Sequence, residues 1–327
     1  MFFSDKHAGM GELADTLAED AYTEGRSLWR DARRRFMSHR AAVASLVVLA
    51  LLLLFAAFGQ YLSPWDNESI DWASLPNLDE DGLPSLASQH YFGLDPIGRD
   101  LYQRTVQGSR ISLMVGVLGA LTAVVIGTLY GAISGYVGGR TDAIMMRTLE
   151  VLSAFPFMFL VIVMMAVFGR NVLLIFVAIG AVSWLNMARI VRGQTLSLKR
   201  KEYIEAAMSV GVHPFLIVLR HIVPNVLGVV IVYATLLVPE MILFESFISF
   251  LGLGVSEPYT SWGALISEGA DAMWTAPWTL IFPMLMLVLT LFCFNFLGDG
   301  LRDALDPKDR FSGKLSSGSP SKITSPL

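Results

Sequence analysis

The chain has 327 residues, of which 54% are hydrophobic and 16% are charged, and its mean hydropathy is +0.56. Soluble domains of this length are less apolar, so the composition places most of the chain in a bilayer. The net charge of −4 comes without a long basic face, which argues against a nucleic-acid partner. The single cysteine, Cys293, cannot form an internal disulfide, and we expect it to pack as a small hydrophobic residue.

Six apolar stretches reach the length of about 20 residues that a helix needs to cross hydrocarbon. The predicted spans are 41–62, 111–133, 149–169, 172–191, 226–251 and 278–298. They predict an all-α integral membrane protein with six transmembrane helices. The predicted parts of the chain are an N-terminal segment (1–40), a first span (41–62), an exterior segment (63–110), a core of five spans (111–300) that contains a loop at 199–224, and a tail (301–327).

The distribution of Lys and Arg predicts the orientation of these spans. With the N-terminus in the cytoplasm, all but four of the 24 Lys and Arg residues lie on the cytoplasmic side. The four on the exterior side are Arg99, Arg104, Arg110 and Arg170. Both termini are therefore predicted to be cytoplasmic, and segments 63–110 and 252–277 to be exterior. No small-residue cleavage site follows the first span, so we expect it to remain as an anchor.

The basic stretch before the first span, "SLWRDARRRFMSHR", has the pattern of a helix at the membrane surface. The side chains expected to meet lipid are Leu28, Trp29, Phe36 and Met37. Those expected to meet anionic headgroups are Arg30, Arg33, Arg34 and Arg35. A simple cluster of positive charge that fixes the orientation of the first span is an equally good interpretation.

The exterior segments carry no catalytic or metal-binding pattern. "HYFGLDPIGRD" has Gly and Pro at turn positions and is predicted to be a structured loop. Segment 252–277 has no Lys or Arg but contains Trp262 and Trp274, which are more often interfacial anchors than substrate platforms.

The loop at 199–224 interrupts the apolar pattern with "KRKEYIEAAMSVGVHPFLIVLRHIVP". Residues 200–209 are predicted to form a short helix with small side chains at Glu205-Ala206-Ala207, and Gly211 is predicted to end it. A second helix is predicted to start near Pro214, because proline suits the first turn of a helix, and Pro224 to open the fifth span. Such a pair of helices suits either a groove on another protein or the lipid surface.

This spacing resembles the EAA loop of ATP-binding-cassette importer permeases. The family usually has I-x-L-P at the end of the loop, where this chain has His221-Ile222-Val223-Pro224. The resemblance extends to "HYFG.D..GRDL", "MARIVRGQTLSLKRKE", "ILFESF.SFLGLG..EP..SWGAL" and "FNFLGDGLRDALDPKDR", and it is greatest to the C-type permease subunits of bacterial oligopeptide importers.

The resemblance implies a type I importer permease fold, of the MetI-like kind, in the bacterial inner membrane. It implies four kinds of partner: a second, homologous permease, two ATP-binding subunits, a periplasmic peptide-binding protein and the transported peptide. ATP and Mg²⁺ would be bound by the ATPase subunits, with no cofactor in this chain. The loop residues implied to couple to the ATPase are Glu205, Ala206, Ala207, Gly211 and Pro224, with Ala207 facing the ATPase cleft. Related permeases also carry dipeptides, nickel or antimicrobial peptides.

The chemistry-bearing motifs of membrane enzymes are missing from the sequence. It contains no phosphate-binding loop, no H-E-x-x-H and no G-x-S-x-G, and its five histidines are not spaced as metal ligands. We therefore expect no catalytic residue and no metal site. Glu240 and Glu245 lie within the fifth span, where a carboxylate faces a cavity or a partner because lipid exposure costs about 3 kcal/mol. They are candidates for lining a translocation path. The alternatives are that they cap a helix at the Pro239 kink, or that Glu245, close to the exterior end of the span, is solvated. A proton-coupled carrier that uses these two glutamates is the alternative, and a structural assembly factor is disfavoured by the loop.

Overall fold

In this computed structural model the backbone is described for residues 28–169 and 172–305, while some side chains near the start of the long helix after residue 171 are not described. The helices that begin and end within the N-terminal part are α1 (Leu28–Ser38), α2 (Arg40–Phe58) and the short α3 (Leu78–Asp81). The central helices are α4 (Leu101–Val137), α5 (Gly139–Ala154), α6 (Phe157–Phe168) and α7 (Val172–Leu198). The remaining helices are α8 (Glu202–Ser209), α9 (Pro214–Ile217), α10 (Val223–Phe250), α11 (Trp262–Asp271) and α12 (Trp278–Leu305).

The described residues form helices and loops, with two isolated backbone bridges and no strand. The all-α prediction is thus confirmed for them. Within residues 28–169 and 172–305, four helical runs are long and apolar enough to cross a membrane: Arg40–Tyr61, Leu101–Val137, Pro214–Phe250 and Trp278–Leu305. The bent pair α5 and α6 makes a fifth if it is a single span. The predicted fourth span, 172–191, lies within α7, which is 27 residues long.

The predicted third span, 149–169, is not one continuous helix. Helix α5 ends at Ala154, Phe155 is extended with ψ of 131°, and α6 begins after Pro156 at an angle of 68° to α5. A proline ring disfavours helical geometry at the residue before it, so the sequence favours a break at this point. An apolar composition alone does not show it.

A row of glycines lets the two central helices approach closely. Gly127, Gly131 and Gly135 recur every four residues on α4 and face α7. A Cβ at Gly127 would lie 2.6 Å from the Cβ of Met187, and one at Gly135 would lie 2.8 Å from the Cβ of Thr195. Small residues at this spacing are common where helices pack in membranes, because they let the two backbones approach closely. Such close packing stabilises helix pairs there, since the hydrophobic effect does not drive helices together in lipid. Helices α4 and α7 thereby form the centre of the chain.

The N-terminal basic helix α1 packs on the C-terminal end of α12. The Phe36 ring is half-buried, and its Cε2 atom lies 3.6 Å from the position of a Cβ on Gly300. Arg30, Arg33 and Arg34 are exposed, as is Met37. Contact of these exposed groups with lipid remains a prediction. Segment 1–27, the tail from residue 306 and the side chains of Leu28 and Trp29 lie outside the described residues.

Candidate functional site

The loop between α7 and α10 folds as two short helices separated by a tight break. Helix α8 ends at Ser209, Gly211 has φ of +82°, and α9 begins at Pro214. The side chain of His213 accepts a hydrogen bond from the amide of Phe215 at 3.3 Å and thus caps α9. A positive φ is readily adopted by glycine and strained for branched residues, so Gly211 allows the turn between the two helices.

The predicted coupling residues do not all face the same way. Glu205 and Ala206 are exposed, whereas Ala207 is half-buried and packs against the hydrophobic core of the chain beside the fully buried Ile204. Ala207 thus points mainly toward the core, and its contact with an ATPase cleft stays a prediction. Ala206 is the small residue of the motif that a partner could approach.

An apolar patch on the loop is exposed beside Ala206. We call it the loop surface, and its members are Tyr203, Met208, Val210, Phe215 and Leu216. Val210 is 84% exposed and Phe215 58% exposed, which is unusual for large hydrophobic side chains that are not in contact with lipid. Such a patch, bordered by Lys201, Glu202 and Glu205, has the composition of a protein-binding surface.

Pro224 is the second residue of α10, which agrees with the prediction that it opens the fifth span, and α10 follows α9 without a break in the helical run. Residues Val218–Ile222 form a π-helical turn between α9 and α10, in which the amide of Val223 bonds to the carbonyl of Val218. Proline lacks the amide hydrogen and collides with the carbonyl four residues earlier, and a widened turn relieves this conflict. Pro224 therefore sets the geometry by which the loop joins the fifth predicted span.

Two polar contacts fasten the start of the loop to the membrane helices. The Lys199 ammonium donates to the carbonyl of Tyr136 at 2.6 Å, at the end of α4. About two turns earlier, on α7, Arg192 forms a bidentate pair with Asp142 of α5, at 2.5 and 2.6 Å. A displacement of the loop would thus be passed directly to α4, α5 and α7.

Glu240 opens into a cavity of about 420 Å³ between α7 and α10. The cavity is lined by Asn186, Met187, Arg189, Ile190, Tyr233, Leu236, Leu237 and Glu240. The structure thus places this predicted residue at a concave surface between two helices, where a carboxylate within a span can be accommodated.

Glu245 is fully buried and does not line that cavity. Its carboxylate accepts hydrogen bonds from the hydroxyls of Ser249 at 2.6 Å and Ser112 at 2.9 Å, and further ones from Ser246 and Ser261. These serines lie on α4, on α10 and at the N-cap of α11. The alternative that Glu245 is solvated is therefore wrong. The group joins three elements: α4, α10 and the start of α11.

Replacing Glu245 by Leu should destabilise the chain by roughly 2 kcal/mol, because several buried hydroxyls would lose their acceptor. Glu245→Gln keeps one acceptor oxygen and should cost less. Thermal unfolding of the purified chain in detergent measures both. A Leu variant that unfolds at the same temperature as the parent protein would show that the serine cluster contributes nothing.

A second polar cluster ties the two exterior segments together. Asp95 and Arg104 are buried and paired at 2.8 Å, and Arg104 also binds Glu268 of α11 at 2.5 Å. Arg99 binds Asp95 at 2.7 Å and Glu257 at 2.6 Å. The hydrogen bond and charge of Arg99 hold the pKa of the Glu257 carboxyl below its usual value. We call this group the exterior ion cluster.

His90 lies at the centre of the same segment, fully buried and stacked on Trp65. Its Nδ1 atom is 2.8 Å from Asp100, which caps α4 by accepting from the amide of Gln103. Burial raises the pKa of the Asp100 carboxyl, and the bonds from His90 and Gln103 offset part of that effect. At Asp71, burial also acts to raise the pKa, but hydrogen bonds led by that from Ser74 outweigh it and lower the pKa. The predicted structured loop is confirmed, and these groups serve its folding.

Trp262 is neither an interfacial anchor nor a substrate platform, since it is fully buried. Its indole Nε1 donates to Ser109 at 3.0 Å. Trp274 is 87% exposed. The two tryptophans look alike in sequence, and only the position of Trp262 at the start of α11 after the capping Ser261 distinguishes them.

Two sequence families match the chain. Residues 127–310 match the family described as "Binding-protein-dependent transport system inner membrane component", and residues 27–79 match "N-terminal TM domain of oligopeptide transport permease C". No group of His, Cys, Asp and Glu that could hold a metal ion occurs in the part of the chain that the structure describes.

Three curated relatives illustrate the similarity. The oligopeptide transport system permease protein OppC of Escherichia coli strain K12 is 62% identical over 310 residues, covering 95% of this chain and 100% of the relative. OppC of Haemophilus influenzae is 57% identical over 307 residues, covering 94% and 97%. The dipeptide transport system permease protein DppC of Bacillus subtilis is 44% identical over 285 residues, covering 87% of each. The chain therefore belongs to the family of binding-protein-dependent transport system inner membrane components.

Proposed function

We propose that this chain is a permease subunit of an ATP-driven importer of oligopeptides. The observation that carries the proposal is its similarity, over nearly its whole length, to permeases named for oligopeptide transport. Dipeptides are the second candidate substrate, because the dipeptide permease of Bacillus subtilis is also similar over 87% of the chain.

The proposed topology has six spans, with both termini in the cytoplasm of a bacterial cell. Four described runs and the bent pair α5–α6 supply five spans, and α7 supplies the sixth. We keep the roles that were predicted from the sequence for the segments 1–40, 63–110, 111–300, 199–224 and 301–327. This arrangement puts the loop surface in the cytoplasm and the exterior ion cluster on the opposite side.

The loop 199–224 is proposed to dock in a groove on a cytoplasmic ATPase subunit. The exposed loop surface, the accessible Ala206 and the charged Glu205 support this role. Gly211 and Pro224 set the geometry of the loop. ATP and Mg²⁺ would be held by the two ATPase subunits, and this chain would be non-catalytic.

Transport then follows from alternating access between two membrane subunits. Closure of the ATPase subunits would move the loop, and the contacts of Lys199 and Arg192 would pass the movement to α4, α5 and α7. A second, homologous permease would complete the path, and a periplasmic binding protein would deliver the peptide from outside.

The exterior surface around Trp274 is the proposed contact with the binding protein. A photo-reactive amino acid placed at Asp271 or Trp274, both exposed, should crosslink to the loaded binding protein. The same probe at the fully buried Trp262 should yield only crosslinks within the chain and serves as the control. If positions 271 and 274 capture lipid alone, the docking assignment is wrong.

The proposal is tested by comparing the chain alone with the complete complex in liposomes. The chain alone should insert without hydrolysing ATP or taking up peptide, because it supplies one membrane subunit and no phosphate-binding loop. Adding the second permease, the ATPase subunits and the binding protein should produce uptake of labelled tripeptide. Uptake by the chain alone would overturn the proposal.

A further inference from the structure

The cavity between α7 and α10 has the size and the chemistry of a binding site. Its volume of about 420 Å³ falls in the range of about 300–1,000 Å³ that is usual for small-ligand pockets. Met187, Ile190, Leu236 and Leu237 give it apolar walls, and a few polar groups converge on the space. Such a combination suits a ligand with an apolar part, which contacts the walls, and one polar group, which fixes its orientation.

The Glu240 carboxylate is the polar group of the cavity that is free to bind. Within the described part of the chain, no hydrogen bond or ion pair to this carboxylate is found. Glu240 also lies well inside a 28-residue apolar helix, where an unpaired carboxylate is costly. A cationic group that enters the cavity would compensate this cost.

The other charged group of the cavity is already engaged. Arg189 donates to Asn186 at 3.0 Å and also to the hydroxyl of Ser153 on α5. These contacts hold the guanidinium toward α5, although it remains a cation in the wall. The phenol of Tyr233, which is 40% exposed, adds a hydroxyl to the lining of the cavity.

We infer that this cavity binds a primary ammonium group of the passing peptide, with Glu240 as its acceptor and the apolar walls in contact with the neighbouring side chain. The inference rests on the proposed function and names the part of the substrate that the path recognises. The ammonium can come from the amino terminus or from a lysine side chain. The cavity lies between α7, which leads into the loop 199–224, and α10, which follows it, so occupancy and loop position would change together.

A cysteine in the wall measures occupancy directly. In a Cys293→Ser background, Leu236→Cys places one thiol beside Glu240 in the purified complete complex. Trialanine at about 10 mM should slow modification of this thiol, whereas N-acetyl-trialanine should not. Protection by N-acetylated alanyl-lysyl-alanine would show that a side-chain ammonium suffices, and its failure to protect would assign the site to the amino terminus.

The same assay tests whether the negative charge of Glu240 acts on groups that enter the cavity. A cationic thiol reagent should react faster than an anionic one of equal size, and Glu240→Gln should abolish that preference and the protection by trialanine. Glu150→Gln, which removes an exposed carboxylate on α5, is the matched control and should change neither. Equal protection by free and N-acetylated trialanine, or none by either, would overturn the inference.

An uptake assay distinguishes a failure of this inference from a failure of the proposed function. With saturating loaded binding protein, Glu240→Gln should reduce uptake of trialanine about tenfold, the usual scale for losing a charged hydrogen bond. Glu240→Asp should restore most of it. Normal uptake by Glu240→Gln would overturn the inference alone, whereas absence of uptake by the unmodified complex would overturn the proposed function as well.

Discussion

Replacing Gly211 by Val should abolish peptide uptake while the chain still inserts in the membrane. No atom lies within 4 Å of a Cβ built at Gly211, so the substitution creates no collision, and its effect comes from the backbone. A β-branched residue at φ of +82° is strained by roughly 1–2 kcal/mol, which α8 and α9 can relieve by changing their relative orientation. The loop surface would then no longer match its partner.

ATP hydrolysis stimulated by loaded binding protein is the measurement for this variant. Gly211→Asn is the control, because asparagine tolerates the left-handed conformation and should retain most of the stimulation. Full stimulation and full uptake in the Val variant would show that the loop is only a connector at the membrane surface.

Arg104→Met should destabilise the chain by about 3 kcal/mol or more. The side chains of Arg104 and Asp95 are 4% and 2% exposed, so losing the guanidinium removes one of the two arginine charges, the other being Arg99, that compensate this buried carboxylate. The contact with Glu268 is lost as well, which weakens the attachment of α11 to the start of α4. Thermal unfolding in detergent should show a lower midpoint, and protease cleavage within 252–277 should become faster.

Asp95→Asn in the same background distinguishes the charge from the packing. The double variant should recover part of the lost stability, since the carboxylate is no longer present to be desolvated. Arg147→Met, which breaks an exposed pair with Glu150, is the surface control and should cost less than about 1 kcal/mol. If Arg104→Met matches this control, the exterior ion cluster does not hold the two segments together.

The features that the sequence predicted best are those determined by local patterns. The length of the apolar stretches predicted helices that can span the membrane. Gly211 and Pro214 predicted where α8 ends and α9 begins. These depend on backbone preferences and on hydropathy, which neighbouring residues decide. The bend at Pro156 also depends on a local preference, because proline disfavours helical geometry at Phe155. It was nevertheless not predicted, since the apolar composition of residues 149–169 predicts one span.

Features that depend on distant residues could not be predicted in this way. Arg99 and Glu257 are 158 positions apart, and Arg104 and Glu268 are 164 apart. The inward direction of Ala207 depends on how α8 is rotated against the core, and the burial of Trp262 depends on Ser109 of α4. Glu240 and Glu245 are five residues apart on one apolar helix, yet one opens into a cavity and the other joins a serine cluster.

The energy source of transport tests the central claim most directly, because it separates an ATP-driven permease from a proton-coupled carrier that uses Glu240 and Glu245. The complete complex is reconstituted in liposomes with loaded binding protein, and uptake of a labelled tripeptide is followed with ATP and no proton gradient, or with a gradient and no ATP. We expect uptake in the first condition and none in the second. Uptake driven by the gradient in the absence of ATP would contradict the account.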